Sequence, residues 1–101
     1  MNEKLLSLLG IARRAGRLSL GFDAAADAMK NGSSCLLLLA CDLSQRSYGS
    51  ITYIATQNNT GTMRLDITME QLGSAVGKRQ TGIISVNDKG FADKLKTLCT
   101  E

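Results

Sequence analysis

The sequence predicts an α/β domain, a three-layer α/β/α sandwich built on a small mixed, mostly parallel sheet of about four strands. Three observations carry that prediction. Helical and extended patterns alternate along the chain as α-β-α-β-α-β-α-β-α, with short connections that return each helix to the sheet. Two apolar runs, 35–41 and 82–86, sit between turn-forming residues, the pattern of strands covered on both faces. Proline is absent, so every break falls on glycine, asparagine or a capping side chain.

The first helix covers 3–15, where Leu5, Leu8, Leu9 and Ala12 form one apolar stripe and Gly16 supplies the stop. Arg17–Leu20 alternates polar and apolar and reads as a short strand, broken by Gly21. A second helix follows from Phe22 to Asn31, with Phe22, Ala25, Ala26 and Met29 on one face. Asp23 lies in its first turn and Lys30 in its last, each favoured there by the helix dipole. The four consecutive leucines of SCLLLLACD then mark a central strand, read as parallel, with Asp42 at its C-terminal end. Residues 44–58 are a third helix with Ser44 as N-cap, and the turn residues Asn58 to Gly61 end it. A strand over Thr62–Ile67 leads to a capping box, Thr68 with Gln71, that opens a fourth helix carrying Met69, Leu72 and Val76. Gly77 closes that helix, Lys78–Thr81 is a polar loop, and Gly82–Val86 is the last strand. Asn87 and Asp88 open a final helix with Phe91, Leu95 and Leu98 inward.

The chain has 101 residues, material for one domain spanning 1–101. No apolar run approaches the roughly 20 residues of a membrane span, and the N-terminus lacks the charge-then-apolar order of a signal peptide. The three cysteines form no CxxC and histidine is absent, so neither a metal site nor a cofactor is expected, and the thiols read as small apolar side chains of a cytoplasmic protein. The lack of histidine also removes the commonest general base and every Ser/His/Asp or Cys/His arrangement, which argues for a non-enzyme. Asp42 and Asp88 leave a carboxylate pair at the sheet end as a minor alternative to helix capping. Net charge is only +3, so placement matters more than total: Arg13, Arg14 and Arg17 cluster, Lys30 follows, and Lys78 with Arg79 form a second pair.

Three stretches carry a resemblance: LLGIARRAGRL, then GRLSLGFDAAADAMKNGSSCLLLLACD, then MEQLGSAVGKRQTGIISVNDKGFADKL. Together they resemble the kink-turn-binding ribosomal proteins of the L-seven-Ae type, and within it the bacterial YlxQ-like branch. The resemblance implies an α/β/α domain that binds structured RNA, a kink-turn or similar element, with ribosomal RNA among the candidates; a monomer without membrane attachment is the expected state. It implies that Gly21 is the glycine at the helix mouth that meets the sheared G·A pairs, with Phe22, Asp23 and Ala24 beside it. Asp23 and Ala24 stand where the family usually has asparagine and glutamate, and Asp27 stands where a lysine is expected. The loop that shields a flipped-out base corresponds to Gly77–Gly82, so Lys78, Arg79, Gln80 and Thr81 join the candidate contacts. Lys30, three positions on from Asp27, joins the contacts as a partial substitute for the lysine expected there, and Arg13, Arg14 and Arg17 are added as auxiliary phosphate contacts. The alternative is a protein-interaction module on the same fold, with RNA binding weakened or lost.

Overall fold

Residues 36–39 are four leucines, and a strand covered on both faces is the arrangement that buries all of them. The computed structural model, which describes residues 3–100, places them as the inner strand β2 (Leu36–Leu39). Its side chains alternate between two cores, as a period of two requires. Leu36 and Leu38 join Ile84 and Val86 in one core, while Leu37 and Leu39 join Ile83 in the other. The first core is covered by α1 (Glu3–Arg14), α4 (Met69–Val76) and α5 (Lys89–Thr100), the second by α2 (Phe22–Lys30) and α3 (Gln45–Gln57). This is the α/β/α sandwich that the alternating pattern predicts.

Three further strands, β1 (Leu18–Leu20), β3 (Thr62–Arg64) and β4 (Ile83–Val86), complete a mixed sheet in the order β1-β4-β2-β3. The expected parallel majority is corrected here. Only β2 and β3 pair in parallel, with Leu38 opposite Met63, whereas β4 pairs antiparallel with both β1 (Leu20 opposite Ile84) and β2 (Leu39 opposite Ile83). An apolar run reports that a strand is covered on both faces; it does not report which way its neighbours run. Here β1, β2 and β3 all point one way, and β4 inserts between β1 and β2 pointing the other. Consequently β1, β2 and β3 finish at the end of the sheet where β4 begins.

Local chemistry agrees with most expected boundaries. Ser44 caps α3 by accepting from the Ser47 N–H. Thr68 and Gln71 form the complete capping box of α4. Regular β3 pairing is shorter than the expected 62–67, because the chain leaves the ladder toward that box, though the Leu65 N–H still donates to the Leu39 carbonyl. Cys35, Cys41 and Cys99 are free and half-buried. Ser85 is fully buried in β4, with its hydroxyl 2.7 Å from both the Ser34 hydroxyl and the Asn87 Oδ1, and Asn87 Nδ2 donates onward to the Ser19 hydroxyl at 2.8 Å. A hydroxyl has a single hydrogen, so if Ser85 donates to Asn87 it accepts from Ser34. The network satisfies the one polar side chain of β4 at the opposite end of the sheet from the start of that strand. No helix among the described residues is long and apolar enough to cross a membrane.

Candidate functional site

A single residue separates β1 from α2. Gly21 takes φ 91° and ψ 171°, a region that essentially only glycine occupies. Its N–H donates to the Ile83 carbonyl at 2.9 Å, and its carbonyl accepts from the Ala25 N–H at 3.0 Å, closing the first turn of α2. No side chain caps this helix, so the N–H groups of Phe22, Asp23 and Ala24 are presented outward with the positive end of the helix dipole. The space in front of Gly21 is open, since a Cβ built there would meet nothing within 4 Å. Phe22 is half-buried and packs against the second core, so it anchors the mouth. Asp23 and Ala24 are exposed at its rim.

The bond from Gly21 to Ile83 brings the second predicted segment to the same place. Ile83 begins β4, directly after the Gly77–Gly82 loop. Gly77 ends α4 in the left-handed conformation, and the loop then folds back along α4: the Lys78 N–H donates to the Gly73 carbonyl and the Thr81 N–H to the Met69 carbonyl. Gly82 is pinned to the end of β2 through the Ala40 N–H. Lys78, Arg79 and Gln80 are exposed. Thr81 is only 8% exposed and its hydroxyl contacts the Ile83 carbonyl, so it is corrected from a candidate contact to an internal support of the loop.

The auxiliary cations divide. Arg13 Nε donates to the Val76 carbonyl at 3.3 Å, placing Arg13 beside the start of the loop. Arg14 is exposed next to it at the end of α1. Arg17 precedes β1, and its carbonyl accepts from the Asn87 N–H beyond the far end of β4, so it lies at the opposite end of the sheet from Gly21. Lys30 closes the nine-residue α2, about 12 Å along the axis from the mouth. Neither of these two belongs to the cluster, and because the Arg17 N–H donates to the Ala12 carbonyl, the end of α1 with Arg14 lies at the Arg17 end as well. Asp42 is committed elsewhere, its Oδ1 accepting from the Met69 N–H at 2.8 Å as a second cap on α4, and Asp88 accepts from the Phe91 N–H at the start of α5. Both carboxylates therefore do the helix-capping work that was the alternative to a catalytic pair.

The same sheet end holds two cations that the sequence did not single out. Arg64 ends β3, with Nη2 donating to the Cys41 carbonyl at 3.1 Å and the guanidinium 4.6 Å from the centre of the Tyr48 ring. Arg46 is exposed in the first turn of α3. The position of Arg64 depends on β3 pairing beside β2, a long-range event that leaves no trace in the local stretch. Among the described residues Lys89 pairs with Asp93, and none of Arg46, Arg64, Lys78 or Arg79 has a carboxylate partner. The arrangement is an uncapped helix mouth, with the Asp23 carboxylate at its rim, at the end of the sheet that also carries Arg64 and the close of the basic loop; its free N–H groups and unpaired cations suit an anionic ligand.

Comparison with known proteins follows the same lines. Residues 3–96 match the model of the "Ribosomal protein L7Ae/L30e/S12e/Gadd45 family". The chain is 30% identical over 91 residues to RNA-binding protein YlxQ of Bacillus subtilis, covering 90% of each chain. It is 26% identical over 97 residues to large ribosomal subunit protein eL30 of Saccharomyces cerevisiae, covering 95% of this chain and 92% of that one. A solved structure of a protein of unknown function from Bacillus halodurans superposes with a TM-score of 0.90 at 32% identity, over 97% of this chain and 98% of that one.

Proposed function

From the premise that the chain belongs to the ribosomal protein L7Ae/L30e/S12e/Gadd45 family, we propose that it is a ribosome-associated RNA-binding protein that grips a kinked RNA at the open end of its sheet. It acts as a cytoplasmic monomer, without cofactor or catalysis. The relatives named above are ribosomal and RNA-binding proteins rather than enzymes. The observation that supports the reading is the Gly21 to Ile83 hydrogen bond, which ties the uncapped mouth of α2 to the first residue of β4, directly after the loop that carries Lys78, Arg79 and Gln80.

The physics is that of anion capture on a rigid frame. The N–H groups at the mouth are directional donors that need no side chain to be ordered. Lys78 and Arg79 add charge where a bent backbone crowds its phosphates. A kink exposes base edges and 2′-hydroxyls that a regular duplex conceals, so shape and donors select together. Asp23 can accept from a base amino group but cannot donate, and Ala24 offers only its N–H, so base discrimination rests on fewer side-chain bonds than asparagine and glutamate would provide.

Binding of a kink-turn RNA should fall steeply with salt, with a log–log slope of about −2 to −4 for roughly three to five neutralised phosphates. Gly21→Val combined with Arg79→Glu should abolish the gel shift while circular dichroism shows the domain still folded. Undiminished binding by that double variant overturns this map. A wild-type protein that ignores every structured RNA but retains a protein partner would instead favour the interaction-module reading, to which the exposed Asp23 and Asp27 on α2 are better suited.

A further inference from the structure

We propose that Arg64, laid over Tyr48 and tethered to the Cys41 carbonyl, is a pre-positioned phosphate clamp that carries the RNA footprint across the end of the sheet to β3. This rests on the RNA-binding reading above and deepens it. Strand ends lie about 4.8 Å apart, so the row from Gly21 at the end of β1 to Arg64 at the end of β3 spans about 14 Å. The start of β4 and the end of β2 lie between them.

Arg64 is exposed, yet it is held at two points. One guanidinium nitrogen bonds the Cys41 carbonyl, and the flat face rests on Tyr48, which is itself fixed by packing against the second core. An arginine has five N–H donors, and the Cys41 carbonyl occupies one. No carboxylate takes the others among the described residues, and the Asp42 carboxylate next to Cys41 is already engaged by the Met69 N–H. A long cationic side chain held by a carbonyl and a ring face has less rotamer freedom left to lose when it binds a ligand with its remaining donors. A phosphate is the ligand whose geometry the free side of a guanidinium fits. Exposed Arg46, in the first turn of α3, supplies a second positive charge along the same rim.

The test is a titration of the full chain with a kink-turn RNA at several salt concentrations, using wild type, Arg64→Gln, Arg64→Lys and Tyr48→Leu, each checked by thermal melting. Arg64→Gln should weaken binding about tenfold at low salt and make the salt slope shallower by about one. Arg64→Lys should restore the slope but only part of the affinity, because a lysine keeps the charge and loses the fork and the stacking. Tyr48→Leu, which keeps the packing and removes the ring, should weaken binding with the slope nearly unchanged. If Arg64→Gln binds like wild type, or loses affinity and melting temperature together with no change of slope, the clamp is overturned. Loss of binding in the Gly21→Val, Arg79→Glu protein beside unchanged Arg64→Gln would leave the RNA reading standing without this inference. A wild-type chain that binds no RNA overturns both.

Discussion

Gly21 combines a backbone that only glycine holds cheaply with empty space where its side chain would be. A Cβ there meets nothing within 4 Å, so the cost of a substitution begins with backbone strain of about 1–3 kcal/mol. Gly73 is the opposite case. A Cβ at that position would lie 2.5 Å from the Gln80 Cα and 2.8 Å from its backbone nitrogen. Gly73→Ala should therefore push the Lys78–Gln80 turn off α4, costing about 1–3 kcal/mol in denaturant unfolding and weakening RNA binding with it. Gly49, on α3 with nothing within 4 Å and no unusual backbone angle, is the control. Gly49→Ala should gain about 0.5–1 kcal/mol and leave binding alone. The place of Gly21 as the break between β1 and α2 was legible because strand and helix patterns meet at it. The burial of Thr81 was not, since a threonine in a polar loop looks the same whichever way it turns.

At the scale of elements, α4 is held by two caps from different parts of the chain. The box of Thr68 and Gln71 is local and visible as a spacing. The Asp42 bond to the Met69 N–H spans 27 positions and exists only because the end of β2 meets the start of α4. Asp42→Ala should destabilise the domain by about 0.5–2 kcal/mol, while Asp42→Asn, which keeps an acceptor, should lose much less. Equal losses in urea unfolding for the two variants would show that the carboxylate acts by charge rather than by capping. The direction of β4 belongs to this scale too. Its composition announced burial on both faces, and burial is satisfied equally by parallel and antiparallel neighbours.

The whole molecule is two cores sharing one sheet, and β2 contributes to both. Leu38→Ala removes a fully buried side chain facing α1, α4 and α5 and should cost about 2–5 kcal/mol. In a domain of this size that lowers the melting temperature by about 10 °C or more. Below the transition, RNA affinity should hold, because Leu38 faces a core and not the sheet end; a loss of affinity in the folded variant would mean that the site and the core are coupled. From the residues alone came the number and order of the elements, the two-faced central strand, the caps and the glycine-gated mouth of α2. Each of these is written in patterns a few residues long, through hydrogen-bonding groups and apolar spacing. Tertiary structure decided which way β4 runs, that the mouth of α2 and the start of β4 share an end of the sheet, that Arg17 and Lys30 lie away from it, and that Arg64 joins it. Those outcomes depend on which strand completes another's backbone ladder, and a ladder partner is chosen by packing across the chain rather than by the residues beside it.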